Sequence, residues 1–321
     1  MSNDKKRILI IRFSAFGDLC QSLFAAEQLK DQYAIDYVTR SDFHTFLEEF
    51  KDINKVYSLD RKKGLLGLIM LSLKLRAMNY DIIYDAHSNL RSHIMSFILC
   101  ALKGTELIRR SKERIKFFML FKMRKNLLPK PYRGGESYIK PIRKLIGRHH
   151  TETPLAYNLE EIHPEAKAVK PYTLLSPFAS WPQKMIPTNK WVQFFEQYPN
   201  KKFVIVGGPQ DKLPDEVMNR FGNQIVDLTG KAKWVPTLHL VHEAEAVVGV
   251  DTGVTHVGDL IGKKSYFFVG PSAIGYPSRT SSTTLEVDLD CKPCSKDGRK
   301  ACTNAVHMKC MKDLDITRVQ I

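Results

Sequence analysis

The chain has 321 residues, 43% of them hydrophobic and 26% charged, which suits two domains of ordinary size and excludes a disordered chain. Its longest apolar stretch, Leu65 to Leu75, is broken by Ser72 and Lys74 and falls short of the roughly 20 residues a bilayer span needs. The formal net charge is +15, and Lys103 to Arg148 alone carries +12, with 15 basic and 3 acidic residues.

The N-terminal half alternates strand and helix. After the polar start, Ile8 to Ile11 is too short for a signal-peptide core and reads as part of a strand, Arg7 to Phe13, so a cytoplasmic chain is expected. Ser14 to Asp18 is a loop, and Leu19 to Tyr33 has helical spacing with Leu19, Leu23, Ala26 and Leu29 on one face. Strands follow at Ile35 to Thr39, Lys55 to Leu59 and Tyr80 to Ala86, with helices at Phe43 to Phe50, at Gly67 to Met78 and from Asn89. Thr151 to Pro171, with Pro154, Pro164 and Pro171 and no period, reads as a linker. A second alternating set has strands at Tyr172 to Ser176, Phe203 to Gly207, Ala246 to Val250 and, last, Ser265 to Val269. Its helices fall at Asn189 to Gln197, Thr237 to Glu245 and Val254 to Ile261. The pattern predicts two α/β domains, 1–155 and 156–321, each with a parallel sheet, facing a central cleft.

Three turns carry candidate chemistry. In Arg12-Phe13-Ser14-Ala15-Phe16-Gly17-Asp18 a glycine and a carboxylate stand where the first strand hands over to its helix, the crevice position at which open α/β sheets bind ligands. Asp18 there is either a helix N-cap or a base. In Val250-Asp251-Thr252-Gly253-Val254-Thr255-His256 a strand ends and a helix opens, so backbone N–H groups and the helix dipole offer an anion site. Lys184, closing the Pro-restrained loop Pro177 to Lys184, is either a phosphate clamp or a solvated lysine. Neither a G-x-G-x-x-G fingerprint nor a P-loop is present. Asp288-Leu289-Asp290 imitates a metal-binding pair, but it sits in a strand-like segment beside cysteines and no metal role is expected of it.

Taken in order, these segments resemble glycosyltransferase family 9, the ADP-heptose:lipopolysaccharide heptosyltransferases. The resemblance also takes in YDIIYDAHSNLRS from Tyr80, SPFASWPQK from Ser176, VIVGGPQD ending at Asp211, LTGK ending at Lys231, FVGPS from Phe268, and the tail Cys291-Lys292-Pro293-Cys294. It implies a metal-independent transferase of the GT-B fold, with two Rossmann-like domains that bind acceptor in the first and nucleotide sugar in the second. By motif match Asp18 is the base, and Lys184, Asp251, Thr252, Gly253 and His256 form the donor site. Ser14, Gly17 and Arg91 fall on the acceptor side. The expected partners are a nucleotide-sugar donor, an anionic lipid or lipopolysaccharide acceptor and the inner face of the bacterial inner membrane, with no nucleic acid and no cofactor. The family often has Gly where Ser88 stands, and relatives usually continue into a longer helix after Asp315 to Thr317.

Cys291, Cys294, Cys302 and Cys310, spaced C-x2-C-x7-C-x7-C, are either free thiols or the ligands of a structural zinc. The basic block admits rival readings. Phe117, Phe118, Phe121 and Tyr132 among Lys and Arg suit a nucleic-acid surface, whereas Arg114 to Leu128 also suits a helix lying on an anionic membrane. A family member without catalysis, acting as a binding module, is the third reading. Retention of Asp18 and Lys184 opposes it.

Overall fold

Four consecutive buried aliphatic residues, Ile8 to Ile11, place strand β1 (Lys6–Ile11) at the centre of the first sheet. A strand apolar at every position needs cover on both faces, as in a parallel sheet wrapped by helices. The structure, a computed structural model, describes residues 5–147, 151, 153–159 and 163–321. Met1 to Asp4, the end of the basic block at Arg148, and Glu152 and Glu160 to Ile162 of the expected linker lie outside the described residues.

From β1 the chain runs through α1 (Phe16–Leu29), β2 (Tyr33–Arg40), α2 (His44–Glu48), β3 (Ile53–Leu59), α3 (Gly64–Arg76), β4 (Ile82–Asp85), α4 (Leu90–Cys100) and β5 (Glu106–Arg109). All five strands are parallel, in the order β3-β2-β1-β4-β5. Four short helices follow: α5 (Arg114–Met123), α6 (Gly134–Ile139), α7 (Arg143–Ile146) and α8 (Pro164–Lys167). The second sheet is built from β6 (Thr173–Ser176), α9 (Thr188–Gln197), β7 (Phe203–Ile205), α10 (Asp215–Phe221), β8 (Ile225–Asp227), α11 (Trp234–Glu243), β9 (Val247–Val250), α12 (Gly253–Leu260), β10 (Ser265–Phe268) and β11 (Ser282–Leu285), with α13 (Lys309–Lys312) near the end. It too is parallel, in the order β11-β10-β9-β6-β7-β8. The mixed α/β class with two Rossmann-like sheets is as expected. In each sheet the order reverses once, beside β1 and β4 in the first and beside β6 and β9 in the second, and these reversal points are where such sheets bind ligands.

Some elements depart from the sequence reading. Strands β5 and β8 and helix α10 were not anticipated, being too short to show a period. Ser265 to Val269 is not the last strand. β11 follows it as a polar edge strand, Ser-Thr-Thr-Leu, with one buried residue. Asp288 to Asp290 is irregular rather than strand-like. The C-terminal end, where no long helix forms, is nonetheless packed: Met311, Leu314, Ile316 and Val319 are buried with Trp191 and Phe195 in the core of the second sheet.

The chain forms two compact units, Met1–Arg114 with Gly135–Leu159, and Ile115–Gly134 with Glu160–Ile321. Residues 115–134, expected within the first domain, therefore group with the second. Phe117, Leu120, Leu128 and Tyr132 share an apolar cluster with Ala273, which holds them there. The start of the expected linker is no free tether either. Lys51 N–H donates to Ala156 O at 2.8 Å, Asn158 N–H donates to Glu49 O at 2.8 Å, and Lys30 Nζ donates to Thr153 O at 3.1 Å, binding this stretch to the first unit.

Candidate functional site

In the first unit the loop after β1 presents Asp18 in the third position of α1. The N-cap of α1 is Ala15, without a side-chain hydrogen bond, so Asp18 is not the cap. Its carboxylate is gripped from two sides: Arg12 Nη2 lies 2.5 Å from Oδ2, and the Tyr138 hydroxyl donates to Oδ1 at 3.0 Å. Arg12 is itself buried and anchored by a 3.1 Å bond from Nη1 to Ala86 O, at the end of β4. Arg110 stacks on the Tyr138 ring with its guanidinium carbon 4.0 Å from the centroid. Burial pushes the Asp18 carboxyl up, but Arg12, Arg110 and the Tyr138 hydrogen bond outweigh it, and the net shift is downward. The Asp18 side chain remains 38% exposed, so a hydroxyl can reach it.

Beside it stands His87, whose Nδ1 accepts from Phe13 N–H at 3.3 Å. Burial, with Arg12 and Lys112 adding to it, lowers this imidazole to about 3, so His87 is neutral at physiological pH. The turn after β4 is organised by fully buried Asp85, which accepts from Ser88 N–H at 2.7 Å and from Arg109 Nε at 3.0 Å. Ser88 has φ +53°, in the left-handed region that glycine favours, which accounts for glycine being frequent there in the family it resembles. Ser14 and Gly17 are half-buried in the loop and first turn beside Asp18, whereas Arg91 is exposed on the first turn of α4. Sequence reasoning missed Arg12, His87, Arg110 and Tyr138 as parts of this site. A charged residue directly after an apolar strand was a usable signal for Arg12, but Tyr138 had none.

In the second unit the turns after β6 and β9 converge. Lys184 Nζ lies 2.7 Å from Asp251 Oδ2, and His256 Nε2 lies 3.0 Å from Asp251 Oδ1, all three side chains being largely buried. Asp251 burial favours its neutral form, yet Lys184 first and His256 next more than cancel that, and the carboxyl falls well below its usual range. Gly275, at φ +103°, passes so close that a Cβ there would lie 2.3 Å from the Asp251 carboxylate. Thr252 is the N-cap of α12 and forms a reciprocal capping box with Thr255, and its hydroxyl is 3.0 Å from that of Ser176. Gly253 opens the helix. A cavity of about 450 Å³, within the range of small-molecule sites, is lined by Ser176, Gly207, Gly208, Trp234, Thr252 and Gly253. The helix N-terminus and Lys184 suit a diphosphate, and the cavity with Trp234 suits the nucleoside.

The four cysteines line one small cavity, with Met308 N–H donating to Cys302 Sγ at 3.3 Å. None of the four is in a disulfide, and among the described residues no group of three or more His, Cys, Asp or Glu is arranged to hold a metal ion. The basic block is shared between the two units. Its three acids pair with its own cations: Glu106 with Lys144, Glu113 with Lys140, and Glu136 with Arg143. Phe117 and Leu120 of α5 are buried, so the fully interleaved apolar surface expected there does not form, although Ile115 and Phe118 are exposed.

A model described as glycosyltransferase family 9 (heptosyltransferase) matches residues 69–302. No curated protein sequence matches the chain. The solved glycosyl transferase family 9 protein of Veillonella parvula DSM 2008 superposes with a TM-score of 0.69 at 19% identity, over 89% of this chain and 87% of that one. E. coli ADP-heptose lps heptosyltransferase II superposes with a TM-score of 0.66 at 18% identity, over 88% and 91%. An E. coli heptosyltransferase solved with ADP-2-deoxy-2-fluoro heptose gives 0.66 at 16%, over 91% and 97%. At such identities the likeness is one of fold, and that fold is of the GT-B type.

Proposed function

The chain belongs to glycosyltransferase family 9, and on that premise we propose that it transfers a sugar, heptose from ADP-heptose, to a lipopolysaccharide inner-core or related lipid-linked acceptor. The observation that carries the donor side is the Lys184–Asp251–His256 cluster beside the N-terminus of α12 and the 450 Å³ cavity. Asp251 fixes the direction of Lys184 Nζ, and Lys184 with the first N–H groups of α12 meets the diphosphate. That two structural neighbours are described with ADP-heptose or its fluoro analogue supports adenosine and heptose as the donor's two ends.

Asp18 takes the proton of an acceptor hydroxyl as its oxygen attacks the anomeric carbon. The bond from that carbon to the diphosphate oxygen breaks, and a nucleoside diphosphate leaves with the electron pair. Charge builds on the leaving group, where Lys184 and the helix N–H groups stabilise it without a divalent ion. Arg12 and Tyr138 hold Asp18 ionised and aimed. Work on a lipid-borne acceptor at the cytoplasmic face of the inner membrane is part of the same proposal. Among the described residues no helix is long and apolar enough to cross a membrane.

The test is a panel of nucleotide sugars read by thermal shift, followed by turnover with the best ligand in EDTA. ADP-heptose should raise the melting temperature most, since a ligand stabilises in proportion to the logarithm of its concentration over its dissociation constant. Turnover should survive chelation. A different nucleotide winning the panel, or activity lost to EDTA and restored by Mg²⁺ or Mn²⁺, overturns the donor or the metal-free step respectively.

A further inference from the structure

Helix α3 is apolar on both sides. One stripe, Leu68, Ser72 and Leu75, is buried, its two leucines in the core with Leu9, Ile11 and Ile83 of the first sheet. A helix that buries one stripe ordinarily turns polar residues outward. Here the opposite stripe is Leu66, Met70 and Leu73, spaced i, i+4, i+7 and 69%, 63% and 55% exposed. Helix α4 shares the same core through Met95 and Leu99, and Arg76 Nη1 donates to Ile98 O at 2.6 Å, so the last turns of the two helices lie side by side. α4 adds Phe97, 74% exposed, and Leu90, 76% exposed. Soluble monomers rarely leave so many large apolar side chains together in water.

The charge around this face has one sign. Arg61 to Ala77 contains five Lys or Arg and no acid, and Leu90 to Lys103 contains two and no acid. Arg61, Lys62, Lys63, Lys74 and Arg91 are exposed. A second copy of the chain would set this ring of cations against itself across a two-fold interface, and lysine is depleted from protein interfaces in general. An anionic lipid surface complements both the apolar centre and the cationic rim.

We propose that the outer face of α3 and α4 seats the first unit on an anionic phospholipid surface, with Leu66, Met70, Leu73 and Phe97 entering the headgroup boundary and Lys62 and Lys63 meeting phosphates. The surface lies outside the basic block from Lys103 to Arg148. It deepens the reading of a lipid-linked acceptor by naming where the protein meets the membrane. Its test uses no turnover, so the two readings fail separately.

The experiment is co-sedimentation of the full chain with vesicles of phosphatidylcholine, alone or mixed with phosphatidylglycerol. The protein should sediment with the mixed vesicles and not the neutral ones, less so as salt rises. The triple variant Leu66→Ser, Met70→Ser, Phe97→Ser should lower partitioning by about tenfold or more, with unchanged circular dichroism and oligomeric state. Lys62→Glu with Lys63→Glu, at exposed positions, should do the same and keeps the idea testable should the triple variant misfold. Wild-type protein that ignores anionic vesicles, or variants that bind as wild type does, would overturn the proposal. So would a wild-type dimer that the triple variant converts to monomer, which would assign the face to a second copy.

Discussion

Tyr138 donates to Asp18 at 3.0 Å across 120 residues of sequence, while Arg12 occupies the other carboxylate oxygen. Both contacts favour the ionised carboxylate, whose folded-state pKa is depressed. A base of this kind works above that value and fails as pH falls through it. Tyr138→Phe removes one lowering influence, so the acid limb of the kcat/KM profile should move to higher pH, with a modest loss of rate at neutrality. A profile whose acid limb does not move would show that Tyr138 merely fills space.

Asp18→Asn should lower kcat by on the order of 10²- to 10⁴-fold, the usual range for loss of a general base. ADP affinity, measured by calorimetry, should stay near wild type, since the donor residues belong to the other unit. Near-normal turnover would remove Asp18 from the chemistry.

Lys184→Ala should weaken ADP binding by about 10- to 150-fold, matching the roughly 1.5–3 kcal/mol of a hydrogen bond to a charged group. It also leaves buried Asp251 without its cation, so the melting temperature should fall. The Asp251 pKa is depressed from 3.8, so the stability this ion pair supplies is present above that value and is lost as pH falls through the native one. The gap in melting temperature between wild type and variant should therefore narrow in strong acid.

Gly275→Ala should disturb the same cluster from behind. A methyl group there meets the Asp251 carboxylate at 2.3 Å and must also sit at φ +103°. A destabilisation of about 1–3 kcal/mol is expected from backbone strain alone, together with weaker ADP binding as Asp251 shifts. Denaturant melts and calorimetry check both.

Ser88→Gly should act in the opposite direction. The left-handed conformation at φ +53° costs a side chain about 1–2 kcal/mol, and the added freedom of glycine in the unfolded chain returns about 0.5–1. A net gain of about 0.5–1 kcal/mol in chemical denaturation is expected. A loss would mean that the Ser88 hydroxyl contributes to the loop.

The sequence displayed the parts of the site that are local. Asp18, Lys184, Asp251 and His256 all follow apolar strands at turns punctuated by glycine or proline, and a strand-to-turn handover is visible in a single stretch of residues. The fold then places these turns beside the points where strand order reverses. Tyr138 and Arg110 were not legible, because no periodicity links residues so far along the chain to the first turn of α1. Asp251 and Thr252 both stand where a helix cap belongs, and the capping-box geometry gives that role to Thr252. The amphipathic pattern of Arg114 to Leu128 was legible only in part for a related reason: a helical pattern shows that a face is apolar, not whether protein or solvent covers it. Phe117 found cover beside Ala273, whereas the outer stripe of α3, Leu66, Met70 and Leu73, did not.

The passage of residues 115–134 into the second unit sets an order for biosynthesis. Phe117 and Leu120 leave the ribosome long before Ala273, with which they cluster. At about 5–20 residues per second that wait lasts on the order of 8–30 s. Throughout it, the nascent first unit carries a greasy, cationic excursion with nothing to pack against, a natural client for a chaperone. A fragment ending near Leu155 would keep that excursion permanently orphaned. Expression of the first half alone should therefore yield aggregates, and a version with residues 115–134 replaced by a short flexible loop should stay in solution.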